Sequence, residues 1–422
     1  MRPLIVQKFG GSSVADPDRI RRCAQRAYDT RRGKSGAGGG GEVDVIVVVS
    51  AMGKTTDRLI ELAQEITPQP PKREMDQLLA TGEQVSIALT AMALETLGQP
   101  AVSLTGPQVG FNTDSAHTKA RIRSINEQVI RKHLADGRVV VVAGFQGVAP
   151  DGSITTLGRG GSDTTAVALA AALKARECEI FTDVDGVYTA DPRIVPDARK
   201  IERISYEAII ELAALGAKVM ALRSVLLGAK FNVPIHVRHS MLPDPGTMIV
   251  PETPEMENEQ VTGVALKTNL GRVMLPNLPN RAGVQSRIFA AIAESTILVD
   301  DIIQNEVSAD TMNVSFTVEH GDLADIKPVL DKILSDLDAS PARGLGSWGA
   351  VKVDVGLCKV SAVGVGMRSH TGVAARMFKA IADADIRIQN ITTSEIKISC
   401  ILAKEDGEKA LRAIHTAFGL GG

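Results

Sequence analysis

The chain has 422 residues, of which 44% are hydrophobic and 23% charged, with a formal net charge of −2 and a pI near 6.4. This length predicts two or three domains, since one compact core rarely grows so large. The nearly neutral charge argues against nucleic acid or an anionic membrane as a partner. The four cysteines are scattered, without a C-x-x-C pair or nearby histidines, which is typical of a reduced compartment and argues against a cysteine metal site.

Short apolar runs alternate with helical patterns through about the first 240 residues. The runs are 4–9, 43–49, 101–104, 139–143, 178–182 and 234–237. Continuously apolar runs fit strands covered on both faces, and the helices between them imply parallel crossovers. The pattern therefore predicts an α/β sandwich around a mainly parallel sheet. The glycine-rich tract 33–41 is predicted to be a flexible surface insertion without chemistry.

The N-terminal apolar run is too short for a signal peptide, and no later run approaches the length of a membrane span. These features predict a cytoplasmic location.

The first candidate binding loop is Lys8 with the glycines that follow it. Lys8 ends an apolar strand, and Gly10, Gly11 and Ser12 come directly after it. A backbone of this kind can approach phosphate oxygens closely, while the lysine neutralises charge on a transferring phosphoryl group. The segment predicts an anion site at the edge of the sheet.

The second candidate is the glycine-rich turn 156–163, with the sequence T-L-G-R-G-G-S-D. It carries Arg159 and Asp163 directly into an alanine-rich helix. Glycines allow positive φ, and the amides at a helix N-terminus favour an anion. Ser162 and Asp163 are predicted to cap this helix. A capped loop that binds nothing fits such a turn equally well when it stands alone.

Two more strand ends complete this edge. Segment 50–56 resembles the tail of a P-loop, but Val48 stands where the Walker A pattern requires glycine, which excludes that motif. Loop 181–193 is dense with polar groups and follows another strand, where open α/β sheets bind ligands. Since several glycine-bearing turns and cations converge here, phosphoryl transfer is the chemical class that the sequence favours.

A change of pattern marks a second region of the chain. Prolines and acidic residues over 241–260 predict a domain boundary. Beyond it the motif G-V-x-x-R-x-F-x-A-I-A begins at Gly283 and again at Gly372, an offset of 89 residues. Each copy has the pattern strand, helix, strand, strand, helix, which predicts two ferredoxin-like βαββαβ modules.

Taken together, the motifs resemble the aspartate kinases of the amino-acid kinase superfamily. The resemblance is carried by K-F-G-G-S-S at 8–13, V-S-A-M-G at 49–53, Gly82-Glu83, L-G-R-G-G-S-D at 157–163 and T-D-V-D-G-V-Y-T-A-D-P-R at 182–193. It spans nearly the whole chain, because these enzymes carry two C-terminal ACT modules. It implies a three-layer α/β/α kinase domain over 1–245, a linker over 246–262, and ACT modules over 263–345 and 346–422 that can be interleaved.

The resemblance implies transfer of the ATP γ-phosphoryl group to the β-carboxylate of L-aspartate, the first step of lysine, threonine and methionine biosynthesis. Lys8 would contact the transferred group and Asp163 would orient Lys8. The residues expected to bind aspartate are Ser50, Thr56, Glu83, Arg159 and Ser162, with Arg159 on a carboxylate and Glu83 on the ammonium. ATP is expected at Lys8, Gly10, Gly11, Ser12, Thr182, Asp183, Tyr188, Arg193 and Lys218. Mg²⁺ would be held mainly by the nucleotide phosphates, without a protein metal site.

The resemblance also implies feedback regulation by lysine or threonine. The residues expected at the effector sites are Asp300, Gln304, Asn305, His370, Thr371, Gly372, Val373, Gln389, Asn390, Thr392 and Ser394. In the first copy, Asn280 and Ala282 depart from the common Asp-x-Pro-Gly loop, which leaves the effector there open. The ACT modules are expected to join copies into a homo-oligomer, and Met248 and Met256 are candidate starts for a short second subunit.

Other functions fit parts of the sequence. An N-acetylglutamate, glutamate or uridylate kinase shares the glycine turns, but is not expected to combine Glu83 and Arg159 with two ACT modules. A non-catalytic amino-acid sensor would keep the fold without needing Lys8, Arg159 and Asp163. The ACT modules could also serve dimerisation alone.

Overall fold

The computed structural model describes residues 2–34, 41–216, 220–295, 297–338 and 351–422. They form two compact units. The first comprises Met1–Thr189 and Arg199–Asn258, and the second Ala190–Ala198 and Glu259–Gly422. Residues 35–40, within the predicted surface insertion, lie outside the described residues.

The first unit contains fourteen strands and seven helices in its described residues. The strands are β1 (Leu4–Phe9), β2 (Asp44–Val49), β3 (Ala101–Leu104), β4 (Phe111–Thr113), β5 (Ile122–Ile125), β6 (Val139–Ala143), β7 (Gln146–Val148), β8 (Ile154–Thr156), β9 (Glu177–Thr182), β10 (Val187–Tyr188), β11 (Lys200–Ile201), β12 (Arg203–Ser205), β13 (Ile235–His239) and β14 (Thr247–Val250). The helices are α1 (Pro17–Arg31), α2 (Thr55–Ile66), α3 (Lys72–Thr96), α4 (Glu127–Ala135), α5 (Gly161–Leu173), α6 (Tyr206–Ala214) and α7 (Leu222–Phe231).

An eight-stranded sheet in the order β12-β14-β13-β9-β1-β2-β6-β3 forms the centre of the unit. The pairs from β13 to β3 are parallel, whereas β14 runs antiparallel to β13. All six apolar runs named from the sequence form strands of this sheet, which confirms the α/β prediction. A smaller sheet, β5-β4-β7-β8, leads into α5, and β10 pairs with β11.

The central strands are apolar along their whole length because helices cover both faces of the sheet. Alternate residues such as Ile5 and Phe9 of β1, and Val45 and Val47 of β2, pack into one core with α1 and α3. The intervening residues face the layer that contains α5, which packs on β1, β2 and β9. Because successive side chains of a strand point to opposite faces, the central strands contribute to a core on each side of the sheet. The ends of the strands are left for a site.

The second unit contains six strands and four helices in its described residues. They are β15 (Gly263–Pro279), α8 (Val284–Glu294), β16 (Asp300–Glu306), β17 (Thr311–Glu319), α9 (Leu323–Asp338), β18 (Lys352–Val363), α10 (Val373–Asp383), β19 (Asn390–Thr393), β20 (Lys397–Ala403) and α11 (Gly407–Ala417). The sheet order is β16-β17-β15-β18-β20-β19. The structure confirms that the repeated motif has the same local structure in both copies. Gly283 and Gly372 have φ of 92° and 86°, and each precedes an 11-residue helix.

The two halves of this unit share their long strands. Residues 263–267 of β15 pair with the end of β18, and residues 270–279 pair with β17. Residues 270–274 also pair with the beginning of β18. Val264 accordingly packs in one core with Met377 of α10, and Val273 packs in the other with Ile288 of α8. The two modules are interleaved, because each half of β15 serves a different core.

Segment Ala190–Ala198 belongs to the second unit although its neighbours in sequence belong to the first. Ala190 and Val195 are buried in the core that contains Val360 and Ile414. Arg412 donates from Nε to the carbonyl of Ile194 at 3.0 Å. The last four residues of the polar loop 181–193 therefore belong to the second unit, where Ala190 has a packing role.

Among the helices of the described residues, none combines the length and the apolar character needed to cross a bilayer. All four cysteines are buried and free.

Candidate active site

A cavity of about 290 Å³ lies where β1 and β2 end and α5 begins. Its lining residues are Lys8, Ser50, Thr56, Glu83, Phe145, Gly158, Arg159, Gly160, Gly161, Ser162 and Asp163. All seven residues predicted to be catalytic or to bind aspartate are among them. The fold thus brings together groups that lie as far apart in sequence as Lys8 and Asp163.

Lys8 and Asp163 form an ion pair in this cavity, with 2.6 Å between Nζ and Oδ1. Their side chains are only 10% and 13% exposed. Lys8 points to the α5 face of the sheet, since its neighbours Gln7 and Phe9 point to the α1 face. The opposite charges of the ammonium and the carboxylate hold the pair. The lysine retains donors for an incoming anionic oxygen.

The predicted capping of α5 by Ser162 and Asp163 is wrong. The N-cap is Gly160, in the left-handed region with φ of 71°, and no side chain caps the helix. Asp163 turns instead towards Lys8, because a buried ammonium group forms a charge-assisted contact with a carboxylate. Gly161, Ser162 and Asp163 of the first turn of α5 all line the cavity.

Glu83 is the buried acid of the site. It lies on α3, is 3% exposed, and accepts a hydrogen bond at Oε1 from the amide of Ala51 at 3.1 Å. Oε2 has no hydrogen-bond partner among the described residues. Burial raises the pKa of Glu83 to about 7, although the amides of Glu83 and Ala51 oppose the shift. The free oxygen and the buried negative charge make Glu83 suited to a cationic group.

Two glycines allow the segments that carry Glu83 and Ser162 to pack closely against their neighbours. A Cβ at Gly82 would lie 2.8 Å from the Cβ of Ala51, so glycine lets α3 approach the loop after β2. A Cβ at Gly144 would lie 2.6 Å from Oγ of Ser162, and Gly144 therefore makes room for that hydroxyl. Glycine at these positions is required by contact between elements.

Arg159 is the free cation of the site. It is exposed at the tip of the turn, and within the described part of the chain no carboxylate pairs with it. Its guanidinium is available for a bidentate contact with a carboxylate of a ligand. Ser162, 7% exposed, lies in the first turn of α5.

Phe145, which also lines the cavity, is missing from the residues proposed from sequence. It adopts φ of 71°, and its amide donates to Oγ1 of Thr165 on α5 at 3.1 Å. A phenylalanine in the left-handed region follows from the surrounding contacts, and no sequence signal indicates it.

Residues proposed for the nucleotide follow β1 and β9, which are adjacent strands. The amide of Gly10 donates to the carbonyl of Phe181 at 3.2 Å, so Gly10 offers close approach rather than a free donor. A Cβ there would lie 3.4 Å from Nζ of Lys8. Gly11 and Ser12 begin the short 3₁₀ turn Gly11–Val14. Thr182, at the end of β9, donates from its hydroxyl to Asp183.

The remaining nucleotide candidates are held differently. Tyr188 donates its hydroxyl to Asp185, which also pairs with Lys200 at 3.1 Å. Burial opposes ionisation of Asp185, but hydrogen bonds from Lys200 and Tyr188 outweigh it and lower its pKa. Arg193 belongs to the second unit, where it is exposed and donates from Nε to Oδ1 and from Nη2 to Oδ2 of Asp191. Lys218 lies outside the described residues.

Predicted effector residues lie in the second unit in three groups, two of which are on or around the edge strands β16 and β19. Asp300, Gln304 and Asn305 are on β16, while Gln389 to Ser394 are on and around β19. Lys359, a residue that sequence reasoning missed, is 1% exposed and pairs at 2.6 Å with both Asp300 and Asp301. Asp301 in turn accepts from the hydroxyl of Thr392 at 3.1 Å. This cluster joins the two edge strands of the sheet.

His370, Thr371, Gly372 and Val373 form the turn into α10. The ring Nδ1 of His370 lies 2.8 Å from the carbonyl of Gly366, so this loop histidine is hydrogen-bonded. Apart from Gly372 and the chain next to it, no atom of the described residues lies within 4 Å of a Cβ built at Gly372, so the space beside this turn is open.

Both parts of the chain match known protein families. Residues 3–239 match the amino acid kinase family, and residues 360–418 match an ACT domain. An aspartate kinase of Pseudomonas putida is 50% identical over 418 residues, which cover 99% of this chain and 98% of that protein. The chain belongs to the aspartate kinases of the amino acid kinase family. It is an ATP-dependent kinase.

Other aspartate kinases extend the match. An aspartokinase of Pseudomonas aeruginosa is 49% identical over 419 residues, covering 99% of this kinase and 98% of that protein. The crystal structure of aspartokinase III of E. coli, in complex with aspartate and ADP in its R-state, matches with a TM-score of 0.77 and 26% identity. It covers 98% of this chain and 99% of that one. The same enzyme in complex with lysine and aspartate, in its T-state, matches with a TM-score of 0.75 and 25% identity, covering 98% of this kinase and 99% of that chain.

Proposed function

We propose that this kinase transfers the γ-phosphoryl group of ATP to the β-carboxylate of L-aspartate, giving ADP and 4-phospho-L-aspartate. The observation that carries the proposal is the convergence of Lys8, Glu83, Arg159 and Asp163 on one cavity. Two cations, one buried acid and a helix N-terminus match a substrate with two carboxylates and one ammonium group.

The charges in the cavity indicate which part of aspartate each residue would bind. Arg159, exposed and unpaired within the described residues, suits a carboxylate that accepts two parallel hydrogen bonds. Glu83 suits the α-ammonium group, because binding a cation stabilises the ionised carboxylate that burial disfavours. Ser50, Thr56 and Ser162 line the same cavity and can donate hydrogen bonds. Aspartate would be held at both ends with its second carboxylate towards Lys8.

The reaction must bring two anions together. The attacking carboxylate is already ionised near neutral pH, so no general base is needed. An oxygen of the β-carboxylate forms a bond to the γ-phosphorus while the bond to the β,γ-bridging oxygen breaks and ADP leaves with that oxygen. Lys8 neutralises charge on the transferring group, and Asp163 orients Lys8. The nucleotide enters as MgATP, placed by the loops after β1 and β9.

Regulation belongs to the second unit in this proposal. Lysine or threonine would bind at the ACT modules and favour one global state of the enzyme. The open space beside Gly372 and the polar side chains on β16 and β19 support a small amino acid as the ligand. Assembly of copies through the ACT modules, a short subunit started at Met248 or Met256, and a cytoplasmic role in lysine, threonine and methionine biosynthesis remain parts of the proposal.

A coupled assay of ADP release tests the reaction. ADP release that requires L-aspartate and is not sustained by L-glutamate or N-acetylglutamate is expected. ATP turnover independent of aspartate would refute the proposal, and the absence of any turnover would favour a non-catalytic amino-acid sensor. Titration with lysine and threonine, singly and together, tests regulation; activity unchanged by both up to millimolar concentrations would leave the ACT modules a purely structural role.

A further inference from the structure

A buried carboxylate outside the cavity contacts the loops behind it. Asp76 on α3 is 0% exposed. Its Oδ1 accepts from the hydroxyl of Thr156 at 2.5 Å, and its Oδ2 lies 2.8 Å from Nδ1 of His117. Both oxygens also accept from the amide of Thr118, at 3.1 and 3.0 Å. Asp76 thus joins α3 to two separate loops.

These contacts fix the chain immediately before Arg159. Thr156 is the last residue of β8, three positions ahead of the guanidinium, and its carbonyl accepts from the amide of Ala120 at 2.9 Å. Arg223 then donates to the carbonyls of both Leu157 and Ala120, at 3.1 and 2.9 Å. Residues 157–160 connect this anchored segment directly to α5. Asp76 and Arg223 therefore fix the position at which the turn that carries Arg159 begins.

The loop on the other side of Asp76 is strained and tightly packed. Thr118 has φ of 69°, a region that β-branched residues rarely adopt. Its carbonyl lies 3.0 Å from the position of a Cβ at Gly158. Asp76 offsets the strain by accepting the Thr118 amide with both oxygens, and the loop in turn supports Gly158.

Asp76 and Glu83 also share one face of α3. They lie seven residues apart, which is two helical turns, or about 10 Å along the axis. Glu83 reaches the cavity itself, while Asp76 reaches the loop that bears Arg159. One rigid helix therefore controls the separation between the acid and the guanidinium.

We propose that Asp76 is a positioning residue that, through Thr156 and Thr118, holds Arg159 at the correct distance from Glu83 to bind aspartate. This inference rests on the proposed function, since it assigns Arg159 and Glu83 to the two ends of that substrate. Asp76 itself does not line the cavity and touches no reacting atom.

Neighbouring threonines of β8 provide a matched pair for the test. Thr156→Val removes the hydroxyl that donates to Asp76 and keeps the shape of the side chain. Thr155→Val is the control, because Thr155 is equally buried but pairs at 2.6 Å with Thr113 on the other face of the strand. We expect Thr156→Val to raise the aspartate KM about tenfold, with the ATP KM and kcat changed less than about threefold. Thr155→Val should leave all three near wild type, and Thr156→Ser, which keeps the hydroxyl, should restore the aspartate KM.

Hydrogen exchange of the free protein supplies a readout that needs no substrate. Amides of residues 157–161 should exchange faster in Thr156→Val than in Thr155→Val, at similar melting temperatures. An unchanged aspartate KM and unchanged exchange in Thr156→Val, or equal effects in both variants, would overturn the inference. If the wild-type enzyme shows no aspartate-dependent turnover, the proposed function fails, and the exchange comparison still decides whether Asp76 fixes the loop.

Discussion

The ammonium of Lys8 lies 2.6 Å from the carboxylate of Asp163, although 154 residues separate them in the chain. The lysine comes from the end of a strand and the aspartate from the first turn of α5. Both side chains are largely buried, so each charge depends on the other. The pair places one positive charge at a fixed position in a cavity that holds further donors.

Replacing Lys8 should abolish phosphoryl transfer more than substrate binding. We expect Lys8→Met to lower kcat at least about 100-fold and to change the aspartate KM by less than about threefold, because the lysine acts on charge at the transferring group. Steady-state kinetics with saturating MgATP measure both constants. A kcat within fivefold of wild type would remove Lys8 from its role, and a melting curve controls for the unpaired Asp163.

Arg159 should govern aspartate affinity through its geometry. Arg159→Lys keeps the charge but loses the planar fork, so we expect the aspartate KM to rise about tenfold or more while the ATP KM stays within twofold. Arg131→Lys on α4 is the control, since Arg131 pairs with Glu127 on an exposed face and does not line the cavity. Equal aspartate KM values for the two variants would contradict the fork.

Ionisation of Glu83 should make aspartate binding depend on pH. With its pKa raised to about 7, the free enzyme carries the anionic form only above that pH. At saturating MgATP, kcat/KM for aspartate is expected to rise from pH 6 to pH 8. The pH dependence of this ratio reports the ionisation of groups in the enzyme before aspartate binds. Glu83→Gln should lower kcat/KM and flatten the profile. An unchanged profile in that variant would assign the titration to another group.

The same buried acid should weaken the folded state at high pH. Its pKa is about 7 when folded against an ordinary 4.5, so wild-type stability falls as pH rises from about 4.5 to 7 and the loss is complete above that. Glu83→Gln lacks this loss, and should be more stable by up to about 3 kcal/mol at pH 8 and nearly equal at pH 4.5. Urea unfolding of both proteins at the two pH values measures the difference. A gap that does not grow with pH would contradict the raised pKa.

Gly160 should be sensitive both to backbone strain and to contact. It has φ of 71°, and a Cβ would lie 2.2 Å from the Cβ of Ala221. Gly152 has φ of 83° with no described atom within 4 Å of such a Cβ, so Gly152→Ala isolates the strain. We expect Gly152→Ala to cost about 1 kcal/mol of unfolding free energy and to retain activity. Gly160→Ala should cost more and raise the aspartate KM, because Ala221, the residue before α7, would displace the turn. Equal effects in the two variants would exclude the contact.

Local patterns were sufficient for the strands of the central sheet, and the resemblance to the aspartate kinases supplied seven residues that line the cavity but not Phe145. Strand runs such as 139–143 were predicted correctly because burial on both faces leaves continuous apolar segments. The turn 156–163 could be predicted from its glycines, since Gly158 and Gly160 adopt positive φ values that other residues rarely adopt. The repeat at Gly283 and Gly372 was visible because the same turn chemistry begins both helices.

Contacts between distant segments were decided by the tertiary structure alone. Asp163 was expected to cap its own helix, but it pairs with Lys8, since a buried cation arrives from another element. Lys359 between Asp300 and Asp301, and Asp76 behind the turn, have no local signature. Sequence determines which conformations each segment can adopt, because those preferences act over a few residues. Which charges face one another depends on how strands and helices pack, and that information is spread over the whole chain.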